Sequence, residues 1–434
     1  MCKNCLCSIV PPNVLSGLAK NGSLASKKTL ADLNGLVQKR KITLALITRI
    51  EIVEGNADRY IYDSQNTWEL RKLLVRKEGN ASISDGDVNS IYDISGFMRS
   101  YLKDIFNHNS LDNNGMDLLF NVHYRSDYNN AFWDGDEMAF GDGDGRNFIG
   151  FANSIDVIAH ELMHGVTQFL ANLQYYSQSG ALNEHFSDVF GSIIKQRILN
   201  QSPQDADWLI GNDVIGPEFP GVALRSMSNP GTANDFDIQP DHMDNYYNGT
   251  DDNQGVHINS GIPNKAFYLA TIILGIDVTE VIWFETLKRL WATSNFEDML
   301  DVILEVTSTL MKNAKIPQNS TTVIEKAFSD VGLKKKDSLK LNYEVQITGG
   351  FFPRKKILKG LIEDNNLIKS IKQDHTSNVS NSKLRDGLIY KFKLSSSDYN
   401  EELLVNECDL TETFKKLIDL AEKNNDNNDN MEPN

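Results

Sequence analysis

The pentad His160-Glu161-Leu162-Met163-His164 puts two imidazoles and a carboxylate within five residues. On a helix, histidines four apart lie on one face, one turn above the other. That spacing lets two ring nitrogens meet one Zn²⁺ at roughly 2.0–2.1 Å. Glu161 is rotated by about 100° from its neighbour, which sets its carboxylate beside the metal's open position rather than on the metal. From there it can take a proton from a water at that position. A structural zinc needs four protein ligands and no such glutamate, so the arrangement points to catalysis.

The third ligand separates the classes of zinc peptidase. A metzincin would carry Gly at 167 and His at 170; the chain has Thr167 and Leu170, which excludes that class. Twenty residues after His164 comes Glu184, in GALNEHFSDVFG, at the start of the next helical stretch. Asp188 follows four residues later and faces the same way. Glu184 suits a third ligand, and Asp188 suits an acceptor for the free ring nitrogen of a ligand histidine. The plainer reading of Glu184, a solvated helix charge, is disfavoured by its surroundings.

These residues need elements to hold them. IDVIAHELMHGVTQFLANL has apolar positions at Ile155, Ile158, Leu162, Val166 and Phe169, one helical face. Helical periodicity continues through NEHFSDVFGSIIKQRIL, NSGIPNKAFYLATIIL, VTEVIWFETLKRLW and NFEDMLDVILEVTSTLMK, and ends with TTVIEKAFSDVG at Gly332. Before the pentad, a helix is expected near DVNSIYDISGFMRSYLKDIFNH, then a strand in MDLLFNVHY. The Asp-Gly pairs of NNAFWDGDEMAFGDGDG mark tight turns between short strands.

Residues 1–52 combine a Pro-Pro element with two runs of expected helix, LASKKTLADLNGLVQK and KITLALITRIE. They are too few to bury much core alone and should pack on something else. KKKD at 334–337 reads as a charged linker. Beyond it, LKLNYEVQITGG and GLIYKFKLS pattern as strands and TETFKKLIDLAEK as an amphipathic helix. A small α+β domain is therefore expected over 338–423, followed by a disordered tail at 424–434.

Composition narrows the partners. The chain has 434 residues, 40% of them hydrophobic, and a net charge of −16. That acidity argues against nucleic acid or an anionic membrane as a partner, and no stretch approaches the 18 apolar residues of a membrane span. No long apolar h-region follows Met1, so a Sec signal peptide is not expected. Cys2, Cys5 and Cys7 cluster at the start and Cys408 lies far away, so the fold does not depend on disulfides. Both features point to synthesis in a reducing cytoplasm, with leaderless export left open. The cluster lacks a nearby fourth ligand. An unstructured reduced terminus is the expectation, with metal binding or a thiol capping the zinc as the alternative.

NAFWDGDEMAFGDGDG, HELMH, SGALNEHFSDVFG, ALRSMSNP and DNQGVHINSGIPNKAFYL occur in this order between about 55 and 333. Together they resemble the thermolysin family of zinc metallopeptidases. The opening SIVPPNVLSGL resembles the protealysin-like branch, which carries a short propeptide.

The resemblance implies an α+β, two-lobed catalytic domain with zinc in the cleft. Its β-rich lobe would span 53–155 and its helical lobe 156–335, behind a propeptide at 1–52 cut off near 50–58. It implies His160, His164 and Glu184 as ligands and Glu161 as general base. Asp188 and Asn183 would orient His160 and His164, respectively. His257 and Tyr175 would stabilise the oxyanion, which calls for fixed donors in a dry cleft, with Asp252 holding the other nitrogen of His257. A lone histidine is by default a satisfied structural one; this motif, with Asp252 five residues earlier, weighs against that for His257. Arg225 would grip a substrate carbonyl on the primed side. Asn130 and Ala131 would pair with the peptide backbone along a strand edge. Phe148, Phe151, Val157, Ile210 and Leu224 would line an apolar pocket for a bulky side chain after the scissile bond.

Two departures stand out. The family's paired calcium site matches Asp156, Lys195, Asp207, Leu209 and Asn212 here, and Val222 takes the place of another calcium ligand. Calcium needs six to eight oxygens; Lys195 is expected to fill the space by pairing with Asp156 and Asp207, leaving zinc without structural calcium. Secondly, VQITGGFFPRKK faintly resembles the opening of emfourin, a small protein inhibitor of protealysin-type enzymes. An inhibitory C-terminal domain and a generic partner-binding domain are both consistent with it. The reading of the whole is a zinc endopeptidase made as an autoprocessed zymogen. A silent zinc-binding module would have been marked by loss of Glu161 or His257, and both are present. A zinc aminopeptidase, whose glutamate ligand usually stands one residue nearer, ranks below.

Overall fold

The computed structural model describes residues 7–43, 57–334, 341–348, 356–362, 367–368, 370–371, 389–395, 400–406 and 410–429. It divides into two compact units, Met1–Lys335 and Lys336–Asn434.

The first unit opens with strand β1 (Cys7–Ser8) and helices α1 (Pro12–Lys20) and α2 (Leu24–Thr43). Pro11 and Pro12 start α1, where the missing N–H of proline costs no hydrogen bond. Val14, Leu15 and Leu18 bury its inner face in the same core as the rest of the unit. The N-terminal segment therefore packs on the body, as its size requires. LASKKTLADLNGLVQK lies within α2. Of KITLALITRIE only the first three residues continue that helix; the remainder, like most of the expected cut region, lies outside the described residues.

Strands β2 (Arg59–Asp63), β3 (Leu73–Lys77), β4 (Leu118–Val122), β5 (Ala131–Trp133) and β6 (Met138–Phe140) complete a six-stranded sheet in the order β1-β5-β6-β4-β2-β3. Helix α3 (Gly86–Phe106) packs against it, with the Asp85 carboxylate capping its N-terminus through the amides of Asp87 and Val88.

Next come α4 (Ile155–Leu170), α5 (Ser177–Ile198), a two-stranded ribbon of β7 (Leu209–Ile210) and β8 (Arg225–Ser226), then α6 (Asp251–Asn259), α7 (Gly261–Leu274), α8 (Ile276–Leu287), α9 (Phe296–Lys312) and α10 (Ser320–Asp330). The expectation of a single apolar face on α4 needs correction. Asp156 through Thr167 are all buried, whereas Phe169, counted in that face, is 44% exposed. A helix covered on all sides shows no single buried stripe, and Phe169 sits in the last turn, where the cover ends. Contact between α4 and α5 is close enough that a Cβ at Gly191 would stand 2.9 Å from the Asp156 carbonyl oxygen.

The second unit contains an antiparallel sheet, β10-β9-β11-β12, made of β9 (Leu341–Thr348), β10 (Lys356–Ile362), β11 (Ile389–Ser395) and β12 (Asn400–Asn406). Helix α11 (Glu412–Asp429) supplies Phe414, Leu417 and Ala421 to a core shared with Tyr343, Val345, Leu358 and Phe392. The tail expected to be disordered over 424–434 is helical as far as Asp429, because α11 carries on past its apolar stripe. Among the described residues no helix is long and apolar enough to cross a membrane.

Candidate active site

Helices α4 and α5 bring three donors to one point. His160 Nε2 and His164 Nε2 stand 2.9 Å apart, and Glu184 Oε2 and Oε1 lie 3.5 and 3.4 Å from them, respectively. The outer nitrogens are held from behind: His164 Nδ1 is 2.8 Å from Asn183 Oδ1, and His160 Nδ1 is 2.9 Å from Asp188 Oδ1. With Nδ1 so engaged, the Nε2 lone pairs of both rings point inward, as metal ligation requires.

The charge balance also calls for a cation. Glu184 Oε2 and both carboxylate oxygens of Glu161 are buried without a hydrogen bond, and such groups are costly unless an opposite charge meets them. Burial pushes the Glu161 carboxyl up to about 8, with His160 opposing it. Two imidazoles and one carboxylate, with a position left open, fit zinc in its catalytic rather than structural form.

Around this point the other expected residues converge. Tyr175 donates its phenol to Glu184 Oε1 and lies 3.1 Å from His257 Nε2. His257 Nδ1 is 2.6 Å from Asp252 Oδ1, and burial's downward pull on the ring is outweighed by Asp252 and Glu184, which hold it up at about 9. The imidazole is thus a charged donor.

Its position comes from an unusual turn. Asp252, Asn253, Gln254 and Gly255 all take left-handed helical angles, with φ of 55°, 49°, 64° and 78°. For the three non-glycine residues this costs roughly 1–2 kcal/mol each. The strain folds Asp252 back so that Oδ2 accepts from the His257 amide at 2.7 Å while Oδ1 meets its ring.

The cleft beside this cluster is filled by β1. It pairs antiparallel with β5, Cys7 opposite Trp133 and Ser8 opposite Phe132. Ser8 O accepts from His257 Nε2 at 2.8 Å, the Ile9 amide donates to Ala131 O at 3.2 Å, and Arg225 Nη1 donates to Ile9 O at 2.8 Å. Asn130 closes the ladder, its Oδ1 accepting from the Val10 amide at 2.9 Å and its Nδ2 donating to Val10 O at 3.3 Å. Every one of the expected backbone-binding residues is thus engaged with consecutive peptide groups. Ile9 is fully buried in the same apolar cluster as Phe148, Phe151, Val157, Ile210 and Leu224.

Two other charged clusters lie in the first unit. Lys195 Nζ is 3.2 Å from Asp156 Oδ2, 3.4 Å from Asp207 Oδ2 and 3.3 Å from the Leu209 carbonyl. Val222 is 62% exposed. His123, near Asp87, has its Nδ1 2.9 Å from Asp142 and its Nε2 3.0 Å from Asp85. The hydrogen bond to Asp142 leads in holding that ring up at about 10. Both its nitrogens are engaged by carboxylates, which hold the ring in place.

A β-rich lobe and a helical lobe that meet at a His-Glu-His zinc cleft, plugged by an N-terminal strand, define a zinc-dependent endopeptidase in zymogen form. Residues 29–168 match the catalytic domain of thermolysin metallopeptidases, and residues 171–333 match their α-helical domain. The chain belongs to the thermolysin family of metallopeptidases. It is 44% identical over 306 residues to the extracellular metalloprotease of Pectobacterium carotovorum subsp. carotovorum, covering 67% of this chain and 88% of that one. The thermolysin of Alicyclobacillus acidocaldarius subsp. acidocaldarius is 37% identical over 287 residues, 63% of this chain and 50% of that one. The solved precursor of protealysin, a metalloproteinase from Serratia proteamaculans, superposes with a TM-score of 0.66 at 38% identity, covering 75% of this chain and 99% of that chain.

Sequence reasoning missed several participants. Ser187 Oγ lies 3.0 Å from His164 Nδ1, and Gln239 Nε2 donates to the His257 carbonyl at 2.7 Å. His185, beside the ligand Glu184, is fully buried with Asn264 and Trp283 as partners. A histidine next to a ligand was the available signal; its partners, about 80 and 100 residues away, had none.

Proposed function

We propose that this enzyme cleaves peptide bonds on the amino side of bulky hydrophobic residues, with the roles divided as follows. Zinc, when bound by His160, His164 and Glu184, supplies a Lewis acid that activates water and polarises the scissile carbonyl. Glu161 takes the proton from that water and passes it to the leaving amine, a task suited to a carboxylate whose affinity for protons is raised by burial. His257 and Tyr175 donate to the carbonyl oxygen as it gains charge. Arg225 holds the next carbonyl, Asn130 and Ala131 hold the flanking amides, and the apolar pocket of Phe148, Phe151, Val157, Ile210 and Leu224 takes the side chain that follows the cut. The observation that supports this most is the seating of Ser8, Ile9 and Val10. Their peptide groups occupy these partners in the order a substrate would, and the Ile9 side chain is fully buried.

The test compares wild type with Glu161→Ala for N-terminal processing and for chelator-sensitive hydrolysis of a peptide with a central hydrophobic residue. Wild type is expected to lose its N-terminal segment and to cut ahead of that residue. The variant should do neither, its hydrolysis falling by at least about 10²-fold. If the variant cuts as wild type does, or if both keep Met1 and neither cuts, the assignment fails.

Two finer readings accompany it. Structural calcium is absent at the position held by Lys195, supported by its ammonium standing among Asp156, Asp207 and the Leu209 carbonyl. The domain over 336–434 restrains the peptidase, supported by the resemblance of its first strand to an inhibitor.

A further inference from the structure

Behind the zinc ligands, buried polar side chains form a line from α8 through α5 and α7. Trp283 Nε1 donates to His185 Nε2 at 2.8 Å. His185 Nδ1 is 2.7 Å from Asn264 Oδ1, and Asn264 Nδ2 donates to Asp188 Oδ2 at 2.9 Å. Asp188 Oδ1 stands 2.9 Å from His160 Nδ1, a charge contact rather than an aligned hydrogen bond. All five residues are at most 1% exposed, so these contacts lie out of reach of bulk solvent.

The direction of the line is fixed by its first member. An indole nitrogen only donates, so His185 Nε2 must accept. A neutral imidazole that accepts at Nε2 carries its proton on Nδ1, and therefore donates to Asn264. Only the amide oxygen of Asn264 can receive that proton, which turns its NH₂ toward Asp188. Without the indole N–H, His185 would have two tautomers and Asn264 two orientations. One of these aims an amide oxygen at the Asp188 carboxylate, which is repulsive.

Asp188 is where the line acquires consequence. Its Oδ1 also accepts from Arg225 Nη2 at 2.8 Å, and its Oδ2 from Arg225 Nε at 3.0 Å. One carboxylate thus sets the zinc ligand His160 and the guanidinium that holds the Ile9 carbonyl. Asn264 adds a second donor to Oδ2, which Arg225 Nε already meets, and so braces the carboxylate on the side away from His160.

We propose that Trp283, His185 and Asn264 are positioning residues, a one-way hydrogen-bond line that sets the orientation of Asp188 and thereby the presentation of His160 to zinc. The inference rests on the zinc-peptidase reading of the site and concerns how tightly the metal is held.

The test measures zinc affinity by chelator competition on the full chain, together with the melting temperature of the zinc-free protein, for four variants. His185→Leu removes both contacts, and Trp283→Phe keeps the ring but removes the N–H. His185→Gln retains one acceptor and one donor, and Glu161→Ala leaves the line intact. His185→Leu and Trp283→Phe are expected to weaken zinc binding by about tenfold, the lower end of the effect of partners behind ligands. His185→Gln should stay within about threefold of wild type. The line has no such role if His185→Leu or Trp283→Phe binds zinc as wild type does. The same follows if His185→Gln falls as far as His185→Leu, since packing alone then explains the loss. A zinc-free melting temperature that drops equally in all three line variants, with zinc affinity unmoved, also overturns it. Failure of the peptidase reading itself looks different: wild type would bind no zinc, or Glu161→Ala would still hydrolyse peptides.

Discussion

At the scale of single residues, the two most informative side chains are a lysine and a glutamate, and each makes sense only through what surrounds it. Glu161 is buried without a hydrogen bond, an expensive state that suits a proton carrier beside a cation. Lys195 does the work of a cation that the chain itself provides. Asp156 is fully buried, with Oδ1 on the Ser154 hydroxyl and Oδ2 on both Lys195 and the Gly211 amide. Lys195→Met should therefore leave an unpaired buried carboxylate and destabilise the protein by about 3 kcal/mol, read from denaturant unfolding. Adding millimolar calcium to wild type should leave its melting temperature where a magnesium control leaves it. A calcium-specific rise, the signature of a ligand that binds the folded state, would overturn the reading of Lys195 as the substitute. Much at this scale was legible beforehand. The pairing of His160 with His164 follows from helix geometry alone, Glu184 was picked out by its place at the start of the next helical stretch, and the ion pairs of Lys195 follow from finding a cation among carboxylates. His185, Asn264 and Trp283 were not legible, since buried hydrogen bonds between distant residues leave no local periodicity.

At the scale of elements, the cleft depends on two short pieces that pattern reasoning handles poorly. Strand β1 has two residues and no alternation to detect, yet it supplies one edge of the sheet. The left-handed turn at 252–255 breaks the ordinary rules for non-glycine residues, so nothing in its sequence apart from Gly255 announces it. The long helices were the reverse case: α3, α7, α9 and α10 appear where apolar periodicity placed them. Helix α4 was found for a partly wrong reason, since its burial is general and Phe169 faces solvent. The role of β1 as a plug yields a prediction. Ile9 is fully buried among apolar side chains, so Ile9→Asp forfeits roughly 2–3 kcal/mol of apolar burial and adds an unpaired charge. At about 1.4 kcal/mol per decade, the uncut variant chain should hydrolyse a peptide at least tenfold faster than the uncut wild-type chain, in initial rates on protein verified intact by mass spectrometry. An unchanged rate would mean that β1 does not close the cleft.

At the scale of the whole molecule, the main cores of the two units are separate among the described residues. One runs through the N-terminal segment and both catalytic lobes; the other is confined to the second unit. A unit with its own core is expected to fold alone, which makes the proposed restraint by 336–434 accessible to experiment. Truncation after Lys335 should give a folded, processed peptidase with raised activity, and the separate fragment added back should lower it. Equal activity with and without the fragment would leave the second unit some other task. The first unit has a further consequence, one of colloidal behaviour. Its sheet is bounded by β3 on one side and by the borrowed strand β1 on the other. When β1 leaves, the amides and carbonyls of Ala131–Trp133 become a bare edge, and a bare edge accepts an extended chain from any source. On the proposed reading, the edge that would hold a substrate's main chain is also one to which another sheet could join. In the uncut chain that edge is already paired, so there β1 would also block such joining between copies of the protein.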